Sequence, residues 1–408
     1  MTYERILKEI KKPNKRIAQR VLQCLVVAVR PLRVAELAEV LAVDFDDAEG
    51  IPRSKPDWQW EEKELALLSA CSSLIAIVEA GDSRVVQFSH FSVKEFLTSP
   101  RLAAASEEVS NFHIDSGPAH TILGQACLGV LLQTQVDVEG HKPGDHPLVR
   151  YAAEHWITHA QFGEVSSRLQ EGMEYLFDAN KPHFKVWLTL CDIDARPNIG
   201  ETFDWFALEY KKKSPATPLY YAALCGFHDL VEHLITKHPQ DVNTDGGYYV
   251  RPLVAALAGE HFQTADLLHH SGADLHVRGK SGTNPVHAAA YSGNLEVVRK
   301  LIEYNPADIN TRDEHYGSTP CHWASNGGHS KVGSVLRLLL EHGADMNAQD
   351  QIGRTPLHWA SVIAAVRLLL EHSADVEMKN DDGRTALQEA AKNGYDEIVE
   401  LLREHGAR

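Results

Sequence analysis

Two periodicities divide the chain. From Ile6 to Val29 apolar residues recur at helical spacing until Pro31 breaks the pattern, and a second amphipathic run, VAELAEVLAV, starts at Val34. A polar, acidic stretch from Asp44 to Trp60 separates it from a third helical run, EEKELALLSACSSL. The period then drops to two: LIAIVEA and RVVQFSHF, split by Gly81-Asp82-Ser83, read as a hairpin. Three helices and a hairpin predict a winged-helix domain over 1–110, and the helical pattern that resumes over 111–212 predicts an α-helical linker domain.

Beyond it, over 213–408, the pattern becomes repetitive. A phrase beginning at Thr217, TPLYYA, is echoed from Arg251, Asn284, Thr319, Thr355 and Thr385, the best copies being TPCHWA and TPLHWA. The intervals are 34, 33, 35, 36 and 30 residues, and each copy is followed by a second apolar helix and a turn. This phrase at this period resembles the ankyrin repeat, which implies a solenoid of six helix-turn-helix units, each burying its apolar side only against its neighbours. The fold class is therefore mostly α: a winged helix with a small β-hairpin wing, a helical linker and an ankyrin α-solenoid. Pro at the first helical position and Thr before it suit helix starts, and Gly in H-G-A-D suits a left-handed helix end. Unit four carries three extra residues around Asn326–Val335 and unit five lacks three around Ser361–Ala365, so their joint is the least regular part of the array. The last unit replaces His-Trp by Gln388-Glu389 and is polar throughout its helices, as a terminal cap that ends the chain should be.

Charge and composition narrow the function. The 408 residues carry a net charge of −16, so the bulk field opposes phosphate and anionic lipid. The first 33 residues run against this, with nine Lys and Arg facing only Glu4 and Glu9. That segment suits RNA, acidic lipid or an acidic domain; a solvated helix face or a seam to an upstream domain is the preferred reading. DNA binding through the third helix is disfavoured, because Glu61, Glu62 and Glu64 oppose one Lys63, and Glu79 and Asp82 flank the hairpin tip. Cys24, Cys71, Cys127, Cys191, Cys225 and Cys321 are widely spaced, which suggests reduced core residues. With no signal-peptide pattern and no long apolar run, a cytoplasmic location without membrane attachment is expected.

No constellation points to catalysis, a cofactor or a metal. His155 and His159 stand four apart, but Trp156 occupies the position a zincin gives to Glu. His287, His322 and His358 belong to the repeat phrase, where an imidazole ties the turn. Gly279-Lys280-Ser281 is the nearest thing to a phosphate loop, yet Asp274 stands where its first Gly belongs. There is no nucleophile elbow and no protease cysteine signature.

A protein partner on the ankyrin surface is the interaction expected, with nucleic acid and membrane unlikely partners on charge and hydropathy. Trp323 and Trp359 occupy one position in adjacent units and are either aromatic anchors of a concave ridge or packing between inner helices. Tyr221 joins them as a candidate. The ankyrin resemblance adds the residues of the projecting turns: Tyr248, Tyr249, Arg278, Lys280, His315, Tyr316, Gln351, Ile352, Asp381 and Asp382.

Longer phrases extend the resemblance. RPLRVAELAEVLAV, LLSACSSLIAIV, VVQFSHFSVKEFL, AHTILGQACLGVLL, YAAEHWITHAQ and LFDANKPHFKVWLTLCDID look like the winged-helix and helical segments of fungal NACHT and ankyrin-repeat (STAND, NLR-like) proteins. That resemblance implies the C-terminal portion of such a protein, without its NACHT NTPase domain, and a possible NTPase partner in cis or in trans. Three functions follow: a non-catalytic adaptor or sensor, the sensing part of a nucleotide-switched receptor, or a winged-helix nucleic-acid regulator.

Overall fold

The computed structural model describes residues 2–45, 53–54, 63–134, 146–193, 216–275, 284–327 and 332–407. It divides into two compact units, Met1–Ile193 and Asp194–Arg408.

In the first unit the winged helix forms as the periodicity predicts. Helices Lys15–Val27, Val34–Ala42 and Lys63–Cys71 accompany a three-stranded antiparallel sheet made of β1 (Leu32–Arg33, between the first two helices), β4 (Ile75–Ala80) and β5 (Ser83–Phe88), in the order β1-β5-β4. A second, two-stranded pair joins β2 (Val43–Asp44) to β3 (Arg53–Ser54). The wing is a two-residue hairpin: Ala80 pairs with Ser83, and Gly81 takes φ +59, which a Cβ would disfavour. Glu61 and Glu62, which bear on the DNA question, lie outside the described residues, and helix three is described from Lys63.

The 18-residue helix Ser116–Gln133 packs against both Lys15–Val27 and Val149–Ala160, so helical segment and winged helix share one core. Ten of its residues are buried, Leu123, Cys127 and Leu131 among them. That explains a nearly all-round apolar sequence with little amphipathic bias. Gly124 permits the approach of Leu169, whose Cδ1 would lie 2.8 Å from an added Cβ. Beyond it, Trp156, Phe177, Phe184 and Trp187 form an aromatic cluster, with Trp156 edge-on to Trp187 at 5.4 Å, and the Trp187 indole donates to the Ala153 carbonyl at 3.2 Å.

The second unit is the helix-pair solenoid. Inner helices begin at Pro218, Pro252, Pro285, Pro320, Pro356 and Ala386, one residue after each cap position, and outer helices follow them. Ala and Leu of inner helices two to five are buried almost completely, because each of these helices is sandwiched between those of its neighbours. The outer helices end in left-handed glycines at Gly272, Gly343 and Gly406, whereas unit five places Ser373 there at φ +69. Its three-residue deficit comes out of the inner helix, which is reduced to Pro356–Trp359. The outer helix, Ile363–Glu371, still buries Ala365, Val366, Leu368 and Leu369. Ser361 compensates for the lost turn by donating its amide to Ser325 O at 3.4 Å and its hydroxyl to Asn326 O at 3.2 Å. Part of unit four's insertion, 328–331, lies outside the described residues. Of the cysteines, all six are free and only Cys191 is not buried; burial pushes the Cys24, Cys71 and Cys321 thiols up to about 12. Among the described residues no helix is long and apolar enough to cross a membrane.

Candidate protein-interaction surface

The turns between units stand on two hydrogen-bonded devices. The first is a histidine ladder. In units four and five, the His322 and His358 Nδ1 atoms accept the N–H groups of Thr319 and Thr355 at 3.1 and 3.2 Å. Their Nε2 atoms donate to the Arg354 and Arg384 carbonyls of the following turn at 3.0 and 3.1 Å. Unit three does the same with His287, which reaches Thr311 O and Ser318 O. The cap-box role of N3 is thus taken by imidazole, and its second nitrogen couples each unit to the next. Burial holds these rings neutral: His322 is depressed to about 4, and His287 and His358 are also lowered. In the last unit Gln388 keeps the intra-unit half of the device, accepting from Thr385 N–H at 3.1 Å.

The second device explains the two tryptophans. Asp313 opens the turn of unit four, accepting from the Tyr316 and Ser318 amides at 2.6 and 3.1 Å and from the Trp323 indole at 3.0 Å. Asp350 repeats this in unit five with the Ile352 and Arg354 amides, the Arg354 guanidinium at 2.8 Å and the Trp359 indole at 3.0 Å. Burial raises the Asp350 carboxyl, but these donors outweigh it and the net shift is below the ordinary carboxylate value. In unit six Asn380 and Glu389 stand in place of Asp and Trp, joined at 3.1 Å with the donor and acceptor roles reversed. The intervals Asp313 to Trp323, Asp350 to Trp359 and Asn380 to Glu389 were visible in the sequence, and the covariation of the last pair was the signal that could have found this contact.

Consequently Trp323, 4% exposed, belongs to the frame rather than to an open ridge. Trp359 is half-buried, with the Arg354 guanidinium 4.8 Å above its ring and Tyr316 edge-on at 5.9 Å. Tyr221 and Tyr249 are likewise buried, at 3% and 4%, and Tyr248 is half-buried with its ring edge-on to Tyr249. Arg278 and Lys280, with the phosphate-loop-like fragment, lie outside the described residues.

The remaining predicted residues are exposed and come together. His315 and Tyr316 form the tip of unit four, Gln351 and Ile352 that of unit five, and Asp381 and Asp382 that of unit six. Backbone bonds tie tip to tip: Gln351 N–H donates to Tyr316 O at 2.7 Å, and Asp381 N–H to Ile352 O at 3.0 Å. Arg312 adds a bridge from its guanidinium to the Gly317 and Gln349 carbonyls. Gly317 and Gly353, at φ +65 and +74, let the next turn approach, since an added Cβ would come within 2.9 Å of Gln351 and Asp381 respectively. Tyr316 and Ile352 keep 40% and 50% of their surface in solvent on this braced edge. Asp382 is paired with Arg384.

In the first unit, His159 is held by Tyr151 Oη at 2.9 Å and by His120 Nδ1 at 2.8 Å, and burial lowers it to about 3. The His155 ring lies edge-on to Tyr151 at 4.8 Å. In the basic N-terminus Lys15 meets Glu108 at 3.0 Å, whereas Glu4, one of its two acids, is taken by Arg101 at 3.1 Å.

Comparison with known proteins agrees with this architecture. A GPI inositol-deacylase winged-helix domain model matches residues 3–113, an ankyrin-repeat model in three copies matches 253–350 and 330–408, and a single ankyrin-repeat model matches 215–244. Azaphilone pigments biosynthesis cluster protein L of Monascus ruber is 29% identical over 67% of this chain and 59% of its own length. The NF-kappa-B inhibitor cactus of Drosophila melanogaster is 29% identical over 35% of this chain and 34% of its own. A crystal structure of an ankyrin repeat domain from Acinetobacter baumannii is 27% identical, with a TM-score of 0.40 over 47% of this chain and 98% of that one. The chain spans less than two thirds of the length of these two relatives. It carries a winged-helix domain of the GPI inositol-deacylase type followed by ankyrin repeats.

Proposed function

We propose that the chain is a non-catalytic interaction module, an adaptor or sensor whose ankyrin turns bind a protein partner while the winged helix and helical segment serve as scaffold. The observation that carries this reading is the braced edge of units four to six. Tyr316 and Ile352 sit exposed on turns whose backbones are already fixed, so burying them against a partner orders little new chain. His315, Gln351 and Asp381 supply adaptable polar contacts around that apolar pair, the arrangement of a hot spot with its rim. The partner surface that fits offers an apolar recess with donors at its margin.

The test compares capture by the full chain with capture by the Tyr316→Ala and Ile352→Ala double variant, followed by direct titration of the identified partner. Loss of about 2 kcal/mol or more is the expected result for a hot-spot pair. Unchanged affinity in a variant with the parent's melting curve rejects this edge as the binding site.

The order of winged helix, helical segment and repeats favours a second reading, in which this is the sensing arm of a nucleotide-switched NACHT receptor with the NTPase in cis or in trans. An immunoblot of the native protein against the 45.3 kDa of this chain separates the cis case from a free-standing adaptor. Co-purification with an NTPase that depends on residues 1–193 supports the trans case.

A further inference from the structure

In the first unit, several charges of one sign converge on a cavity. Between β1, the wing and the helix Val149–Ala160 lies an open pocket of about 430 Å³ lined by Arg30, Arg33 and Arg150, with Ser83 and Glu154 at its edge. Arg30 and Arg33 come from one segment and Arg150 from a helix more than 100 residues later, so no single amphipathic face accounts for it.

Arg30 is fixed in place. It makes a bidentate pair with Glu36 at 2.8 and 2.8 Å, donates to Pro31 O at 3.1 Å and lies 4.9 Å over the Tyr151 ring. Glu36 is 1% exposed and also takes the Arg33 amide at 2.7 Å, so Arg30, which lines the pocket, is held by a buried carboxylate. Arg150 shares Glu154 through Nε at 3.1 Å. The exposed Arg33 guanidinium pairs with no acceptor among the described residues. Three guanidinium groups meet two carboxylates there, and Glu154 also lies 3.7 Å from His155 Nε2, so positive groups are in excess in a chain of net charge −16. N–H donors outnumber acceptors by more, because each guanidinium carries five donors and no acceptor.

The geometry points to an oxyanion-binding pocket of the phosphate class in the winged-helix unit, with Arg33 and Arg150 as the gripping groups and Arg30 as the preorganised floor. A tetrahedral phosphate offers three or more acceptor oxygens out of one plane, so more forked N–H pairs can converge on it than on the two coplanar oxygens of a carboxylate. Free phosphate and the phosphate of a phosphorylated serine share this chemistry.

The experiment is calorimetric titration of the full chain at low ionic strength with inorganic phosphate, with acetate as the carboxylate control. A phosphoserine peptide and its unphosphorylated form distinguish the sources. One saturable phosphate site is expected, with acetate at least tenfold weaker, and a tenfold or greater loss in the Arg33→Ala and Arg150→Ala double variant. Arg33→Lys should recover part of the affinity, as a point charge without the fork. Peptide binding tenfold tighter than inorganic phosphate, and only when phosphorylated, identifies a protein-borne phosphate; binding no tighter than inorganic phosphate identifies the free ion. Equal affinity of parent and double variant, equal response to acetate, or no saturable phosphate site each overturns the proposal. Hydrogen exchange on the parent gives a second readout independent of variant folding: phosphate should slow exchange at 30–36, 80–85 and 150–154, and protection confined to other segments also overturns it.

Discussion

The two units are stabilised in opposite ways. In the ankyrin array the polar bonds are local and repeated: His287, His322 and His358 make the same pair of contacts, and Trp323 and Trp359 meet the same turn aspartate. In the first unit the polar ties do not repeat, and several span a long stretch of chain. Val29 N–H donates to Tyr151 Oη, Glu39 takes His146 Nδ1 and the Leu148 amide at 2.6 Å each, and His120 meets His159. A repeated device tolerates the loss of one copy because its neighbours still pair. A unique one, buried between segments more than 100 residues apart, has no substitute.

Several variants would break or sharpen that contrast. The largest effect is expected from Trp323→Ala, which removes a buried indole and strands Asp313 without its deepest donor; about 4 kcal/mol should be lost from the array, read by urea unfolding followed by hydrogen exchange in units three to five. Trp359→Ala, half-exposed, should lose roughly half as much by the same reading. If both variants lose the same amount, burial does not distinguish the two copies and the contrast within the array fails.

Acid should weaken the array next. His322 has a folded value of about 4, below the ~6.5 of an unfolded imidazole, so the unfolded chain takes up a proton that the native ring resists. Its contribution is fully present above about pH 6.5 and is lost as the pH falls toward 4, amounting to about 2 kcal/mol at pH 5. His322→Gln should flatten the pH dependence of urea midpoints between pH 7.5 and 5; an undiminished slope in that variant would place the proton uptake elsewhere. In the first unit, Glu36→Gln leaves Arg30 without its bidentate partner. Because Arg30 is about a third exposed and can recruit water, about 2 kcal/mol is expected rather than the full penalty of a stranded buried charge.

Ser373→Gly tests the irregular unit. Ser373 holds φ +69 where units two, four and six use glycine, so the substitution should raise stability by about 0.5–1 kcal/mol, seen as a higher urea midpoint. Smallest of all, Tyr316→Ala with Ile352→Ala should alter stability by less than about 0.5 kcal/mol, since neither side chain is buried. A large loss there would assign these side chains to the frame and not to the binding edge.

Much of the fold was legible because the array writes its contacts at a fixed period. The phrase TPLHWA, the Pro at each inner-helix start and the wing at Gly81-Asp82 lead directly to elements found at those positions. The candidate surface was legible in part. The exposed tips at His315, Tyr316, Gln351, Ile352, Asp381 and Asp382 follow from the repeat register, but the burial of Tyr221, Tyr249 and Trp323 does not. An aromatic residue suits a hot spot and a core equally well, and only its neighbours decide between them. The roles of Asp313 and Asp350 are not legible in the sequence, because a turn aspartate has the pattern of a solvated charge and only the fold brings an indole to 3.0 Å from it.

Taken by itself, the sequence determined the winged helix, the six-unit periodicity, the polar terminal unit and the sign of the overall charge, since each depends on residue type at short, regular spacing. Tertiary structure alone decided how unit five absorbs its missing turn, through Ser361 on the carbonyls of Ser325 and Asn326. It also decided which aromatics are covered and which arginines converge beside the wing. Those outcomes depend on distances between residues far apart in the chain, and no period along the sequence encodes a distance of that kind.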